Sequence, residues 1–210
     1  MLLRLVIFFS IIFLPTSSFA ECNFNTSKFI SELSNPKNIK YIEIEIPKSQ
    51  RYVRNFLQTL SSSFENKIIA GYNPINHEVD CLNLLNFASK QGSKIALPYV
   101  KKNKIIEFRE WRNTEPLVKD TLGILSPSSE KIVMPDIILI PLLCFDLNGT
   151  RLGMGQGIYD RSLPFFELSD KYGLAFSAQE TNELITEQHD FLIDGVITEK
   201  NFLSFKRKKN

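Results

Sequence analysis

Histidine and cysteine are scarce in this chain, which has two and three of them among 210 residues. The cysteines, Cys22, Cys81 and Cys144, show no CxxC spacing, so together with His77 and His189 they do not make a paired-ligand zinc site. Cys81 opens a helical pattern and Cys144 closes an apolar run, and both read as small buried hydrophobes. Neither sign of charge predominates. A net charge of +2 predicts neither a nucleic-acid surface nor a strongly acidic partner, and the terminal "KRKKN" reads as a solvated end. Internal repeats and low-complexity linkers are absent as well, which leaves no sign of a second domain. With 43% hydrophobic and 23% charged residues, the composition excludes a disordered chain.

The apolar leader is the first positive feature. "MLLRLVIFFSIIFLPTSSFA" has one basic residue, an apolar run and small residues ending in Ser18-Phe19-Ala20, the layout of a secretory signal. Its run of roughly a dozen apolar residues falls short of the about 20 needed to span a bilayer. Residues 1–20 are therefore a signal-like or anchor-like leader, and 21–210 form one α/β domain.

Within that domain, Tyr52, Val53, Phe56, Leu57 and Leu60 recur at helical spacing, as do Val79, Leu82, Leu85 and Phe87 before Gly92, predicting two amphipathic helices. "NKIIAGYNP", "SKIALPYV", "KIIEFREW", "KYGLAFSAQ" and "DGVIT" are short apolar runs that predict strands, the third nearer an edge because polar residues interrupt it. The strongest strand signal is Ile137–Ile140, bounded by proline on each side. A continuous branched run fits a strand covered on both faces, hence a parallel sheet with a ligand site at its carboxyl ends.

Directly after that run comes "FDLNGTRLGMGQGIYDRSL", Phe145 to Leu163, which holds four of the nine glycines. Strand, glycine loop and a candidate helix in "YDRSLPFFEL" would present free N–H groups to an anion. Arg151 adds a permanently charged fork for phosphate oxygens, and Asp160 offers a hard oxygen ligand for Mg²⁺. Nucleotide binding is the combined expectation. The loop is neither a Walker A motif nor a GxGxxG fingerprint, so the glycines taken alone mark only a tight strand-to-helix turn.

The whole pattern resembles the signature of the 5-formyltetrahydrofolate cyclo-ligase family, FD-x-x-G-x-R-L-G-x-G-x-G-Y-Y-D-R-x-L. "AGYNPINHEVD", "KIALPYV", "FREWRNTEPLVKDTLGILSP" and "EQHDFLIDGVITE" are similar to further family segments in the same order, from about Lys67 to Phe202. The resemblance implies a three-layer α/β/α fold of the CoA-transferase-like kind with a mostly parallel sheet. It also implies ATP-dependent conversion of 5-formyltetrahydrofolate to 5,10-methenyltetrahydrofolate, with ATP as co-substrate and Mg²⁺ as the metal. Carried over by position, Arg151, Leu152, Gly153, Met154, Gly155, Gln156, Gly157, Ile158 and Tyr159 bind ATP, with Arg151 and Tyr159 catalytic. Met154 to Ile158 also face the folate, Glu78 bonds the pterin, and Asp160 and Asp190 hold Mg²⁺. Trp111 is a stacking wall or a core aromatic, and His189 orients its loop. A cytoplasmic monomer or homodimer follows, with no nucleic-acid or protein partner. The chain departs from the pattern at Ile158, where a tyrosine is usual, at Met154 and Gln156, which leave the loop without a base, and at Ser126, where glutamate is usual. An opening basic helix is not recognisable; either Lys28 or Lys48 replaces its charges, or the chain is the alternative, a catalytically impaired folate- or nucleotide-binding relative of the family, exported or membrane-anchored.

Overall fold

The structure, a computed structural model, describes residues 51–52, 55–56, 64–75, 77–187 and 190–205. The leader, Cys22, Lys28, Lys48 and His189 lie outside the described residues. Seven strands build the main sheet: β1 (Ile68–Ala70), β2 (Lys94–Val100), β3 (Ile106–Trp111), β6 (Ile137–Pro141), β9 (Asp170–Leu174), β10 (Gly195–Ile197) and β11 (Phe202–Ser204). Their order is β11-β10-β9-β6-β1-β2-β3. The five inner strands run parallel, and only the two edges, β3 and β11, are antiparallel.

Burial explains that order. Ile137, Ile138, Leu139 and Ile140 of β6 are all fully buried, as a strand with both faces covered requires. On one face Ile69, Ile95, Leu97, Ile137 and Leu139 pack under helix α1 (Leu82–Lys90) and the helical residues Tyr52 and Phe56. On the other, Ala70, Ala96, Ile138 and Ile140 pack with Phe108, Leu163 and Phe166. Strand β3 carries the expected edge character, with Glu107 salt-bridged to Lys101 at 2.8 Å and Arg109 stacked 3.5 Å from the centre of the Tyr99 ring.

Two small hairpins attach to the carboxyl side of the sheet: β4 (Leu117–Lys119) with β5 (Leu125–Pro127), and β7 (Cys144–Phe145) with β8 (Arg151–Leu152). Two expectations need correction. The candidate helix in "YDRSLPFFEL" closes after five residues as α2 (Ile158–Ser162) and continues only as a 3₁₀ turn, Leu163–Phe166. Pro164 has no N–H for the i→i−4 bond, so an α-helix cannot run through it. Cys81 is a free buried thiol as expected, but Cys144 is disulfide-bonded. Among the described residues no helix is long and apolar enough to cross a membrane.

Candidate active site

Strands β2 and β3 extend the sheet to one side of β1, and β6, β9 and β10 extend it to the other. The loops leaving β1 and β6 must therefore diverge, which opens a crevice at their carboxyl ends. A cavity of about 490 Å³ occupies that place.

Its first wall is the segment after β1. Tyr72 is buried and donates its hydroxyl to the Val79 carbonyl at 2.7 Å, which folds the loop back on itself. This presents Glu78, whose Oε2 accepts the Ile75 N–H at 2.9 Å and whose carboxylate lines the cavity. Burial raises the Glu78 pKa above the ordinary carboxylate value, and the Ile75 bond offsets part of that rise. Nearby Tyr159 is held fully protonated by burial and by the charge of Glu78, which makes its hydroxyl a donor and not a base.

The glycine loop forms the second wall. It is hung from the β7–β8 hairpin, whose turn is built on Asp146. That fully buried carboxylate accepts the N–H groups of Asn148, Thr150 and Leu184 at 2.9–3.1 Å. Gly155 and Gly157 take φ of 75° and 58°, a region costly for residues with a Cβ. A Cβ on Gly157 would also lie 2.8 Å from the Arg161 guanidinium, which reaches back to the Gln156 carbonyl. The loop is thus a curled backbone clamped by its own arginine. Helix α2, at five residues, is too short to supply much dipole, so attraction for an anion falls to side chains.

Arg151 carries that charge. It is 7% exposed and donates through Nη2 to Asp160 Oδ1 at 2.8 Å, while its Nε is buried without an acceptor. Asp160 Oδ1 also accepts the Phe191 N–H at 3.3 Å, which draws the neighbouring Asp190 to the same wall. Among the described residues no cluster of three His, Cys, Asp or Glu side chains could hold a metal unaided. Asp160 and Asp190 with phosphate oxygens make the kind of set that Mg²⁺ takes.

Asp120 is a residue the sequence reading missed. It lines the cavity and accepts the Leu122 and Ile124 N–H groups through Oδ1, and the Val100 N–H and Ser126 hydroxyl through Oδ2. This explains the departure at position 126. Ser126 is fully buried beside Asp120, where a glutamate would set one carboxylate against another.

Every residue expected to bind ATP, folate or metal, from Glu78 through Arg151–Asp160 to Asp190, borders this one cavity. Trp111 does not. It is buried in the core beneath α1, its Nε1–H donating to the Glu115 carbonyl, so the core alternative holds.

Known proteins resemble this chain in sequence and in fold. Residues 32–199 match the model of the 5-formyltetrahydrofolate cyclo-ligase family. The 5-formyltetrahydrofolate cyclo-ligase of Haemophilus influenzae is 32% identical over 134 residues, 59% of this chain and 71% of that protein. The Mycolicibacterium smegmatis enzyme of the same name is 28% identical, over 70% of this chain and 80% of its own. The solved structure of Aquifex aeolicus 5,10-methenyltetrahydrofolate synthetase superposes with a TM-score of 0.67 at 30% identity, covering 80% of this chain and 86% of that one.

Proposed function

The chain belongs to the 5-formyltetrahydrofolate cyclo-ligase family, and from that premise we propose that it converts 5-formyltetrahydrofolate and ATP to 5,10-methenyltetrahydrofolate, ADP and phosphate in the cavity between β1 and β6. The observation that carries this reading is the convergence of all three residue sets, for triphosphate, pterin and metal, on one cavity at the point where the strand order reverses.

The chemistry asks mainly for positioning and charge. The formyl oxygen attacks the γ-phosphorus and the bond to ADP breaks. N10 then adds its lone pair to the activated carbon, phosphate departs with the C–O bond, and N10 gives up its proton. A formamide oxygen is a poor leaving group, and phosphorylation makes it a good one.

Arg151, with a buried Nε–H free to donate, meets the phosphate oxygens, and the N–H groups of the curled loop add to it. Tyr159, held neutral, donates to the charge that develops on the transferring group. Glu78 accepts from the amino-pyrimidinone edge of the pterin. Asp160 and Asp190 hold Mg²⁺, which when bound neutralises charge on the triphosphate. That need is acute here: among the described residues bordering the cavity, Glu78, Asp120, Asp160 and Asp190 share the lining with one arginine, Arg151.

We place this activity in the cytoplasm, where ATP and reduced folates occur together. Mass analysis of the natural N-terminus tests the placement. Cleavage after Ala20 would put the domain outside and overturn it. The reaction is tested with folded protein, MgATP and 5-formyltetrahydrofolate, and the methenyl product is expected to appear by its ultraviolet absorbance. Asp160→Asn should remain folded and lose Mg²⁺-dependent turnover. Absence of product at high enzyme concentration would reject the function, and an undiminished Asp160→Asn rate would remove that residue from the metal site.

A further inference from the structure

Arg151 and Asp160 are each assigned above to MgATP, yet in the free protein they are assigned to each other. Arg151 Nη2 lies 2.8 Å from Asp160 Oδ1, and the Arg151 side chain is almost wholly buried while that of Asp160 is half-buried. Arg151 has no second acceptor for its buried Nε. Among the described residues lining the cavity, no lysine or other arginine stands beside Asp160 to replace Arg151.

Consider each ligand alone. A metal ion bound without nucleotide must compete with the guanidinium for Asp160. It then sits beside Arg151, whose charge has lost its counter-ion in a buried place, a costly arrangement. A triphosphate bound without metal draws Arg151 away and leaves Asp160 unpaired among Glu187 and Asp190, close to four phosphate charges. Either half-step strands a charge. Arrival of both ligands together strands none, because each member of the pair receives a new partner of the right sign.

We propose that the Arg151–Asp160 ion pair is an exchangeable lock that makes divalent metal and triphosphate bind this protein cooperatively: Arg151 turns to the phosphate oxygens as Asp160 takes the ion. The proposal rests on the nucleotide reading above and adds a positioning device to it. The buried Nε–H has no acceptor to give up, so when Arg151 turns from Asp160 to the phosphate oxygens the only bond it exchanges is that of Nη2. Coupling between the two ligands is reciprocal by linkage.

The test uses variants that break the pair from each side, with Mn²⁺ standing in for Mg²⁺ and folding checked by circular dichroism. Arg151→Gln frees Asp160 and should bind Mn²⁺ without nucleotide about tenfold more tightly than the wild type, a factor typical of site–site coupling. Asp160→Asn frees Arg151 and should bind ATP in excess chelator more tightly than the wild type by a similar factor, although it loses the metal. Free Mn²⁺ is read by electron paramagnetic resonance and ATP by calorimetry, neither of which depends on turnover. Failure of either folded variant to gain affinity overturns the lock. Should Arg151→Gln not fold, the Asp160→Asn arm alone decides. Wild-type protein that binds MnATP while neither variant gains would sink the lock and leave the nucleotide reading standing. Wild-type protein that binds no MnATP would sink both.

Discussion

Glu78 pays for its position in one currency and is expected to be useful in another. Burial raises its pKa above the ordinary carboxylate value, so the native state favours the protonated acid. The sign follows from linkage: this contribution to stability is fully present below the unfolded-state pKa and is lost as pH rises through the higher native one. Pterin binding wants the opposite form, because only the carboxylate accepts both N–H groups of an amino-pyrimidinone edge. Glu78→Gln keeps an oxygen for the Ile75 N–H bond and removes the charge. Its melting temperature should match the wild type in acid and exceed it progressively as pH rises towards neutrality. Folate affinity should fall by about tenfold or more, the order expected for a charge-assisted pair, and should lack the improvement with rising pH that is expected of the wild type. A variant whose stability tracks the wild type at every pH would show that the Glu78 carboxylate is not under strain from burial.

At the scale of single elements, the β4–β5 hairpin is the part of the site most exposed to failure. It is held over the end of β2 by two bonds to one residue: the Val100 N–H donates to Asp120 at 3.2 Å, and the Thr121 hydroxyl donates to the Val100 carbonyl at 2.7 Å. Within the hairpin, Asp120 also accepts the Leu122 and Ile124 N–H groups at 2.8 and 2.9 Å. Asp120→Ala leaves several donors without partners at once and should cost about 2–4 kcal/mol, at the 1–3 kcal/mol typical for each buried unsatisfied group less what water recovers. The loss should be local. Hydrogen exchange over 117–127 should accelerate, KM for folate should rise, and kcat should change much less, because Ile124 is a wall and not a reacting group. A kcat loss with KM unchanged would contradict that role.

This hairpin also marks where the sequence stops being readable. The five inner strands announce themselves as short apolar runs, and the glycine loop is legible because only a chain that must curl needs glycine at positions such as 155 and 157. "EPLVKDTLGILSP" carries no such pattern. Its order comes from a carboxylate that collects backbone N–H groups, and acceptors of that kind leave no period in a sequence. Asp146 is hidden for the same reason, although "DLNG" is a turn signal that could have pointed to it. Helix α2 is shorter than its pattern because apolar spacing continues through Leu163, Phe165 and Phe166 while Pro164 forbids the hydrogen bonds. Of the two expected metal residues, Asp160 is legible from its place after the glycine loop, whereas Asp190 rests on resemblance alone. Nothing in the spacing of Asp160 and Asp190 brings them together until the Phe191 N–H reaches Asp160.

For the whole molecule, the consequence of placing every site residue at the junction of β1 and β6 is that ligands tie the two halves of the sheet together. On one side lie β2 and β3 with Glu78 and the β4–β5 hairpin, and on the other β6, β9 and β10 with the glycine loop and Asp190. A ligand bridging them is bound only by the folded protein, so it stabilises by about 2.7 kcal/mol at a hundred times its Kd. At about 2–4 °C per kcal/mol for a domain of this size, the melting temperature should rise by roughly 5–10 °C with saturating MgATP, and by a similar step with 5-formyltetrahydrofolate. The variants separate the two steps. Asp160→Asn should keep the folate shift and lose most of the MgATP shift, whereas Glu78→Gln should show a weakened folate shift and an intact MgATP shift. These opposite losses require two subsites in one cavity. If either variant lost both shifts together while still melting cooperatively, the two ligands could not be occupying separate walls, and the division of the cavity into a Glu78 side and an Asp160 side would have to be abandoned.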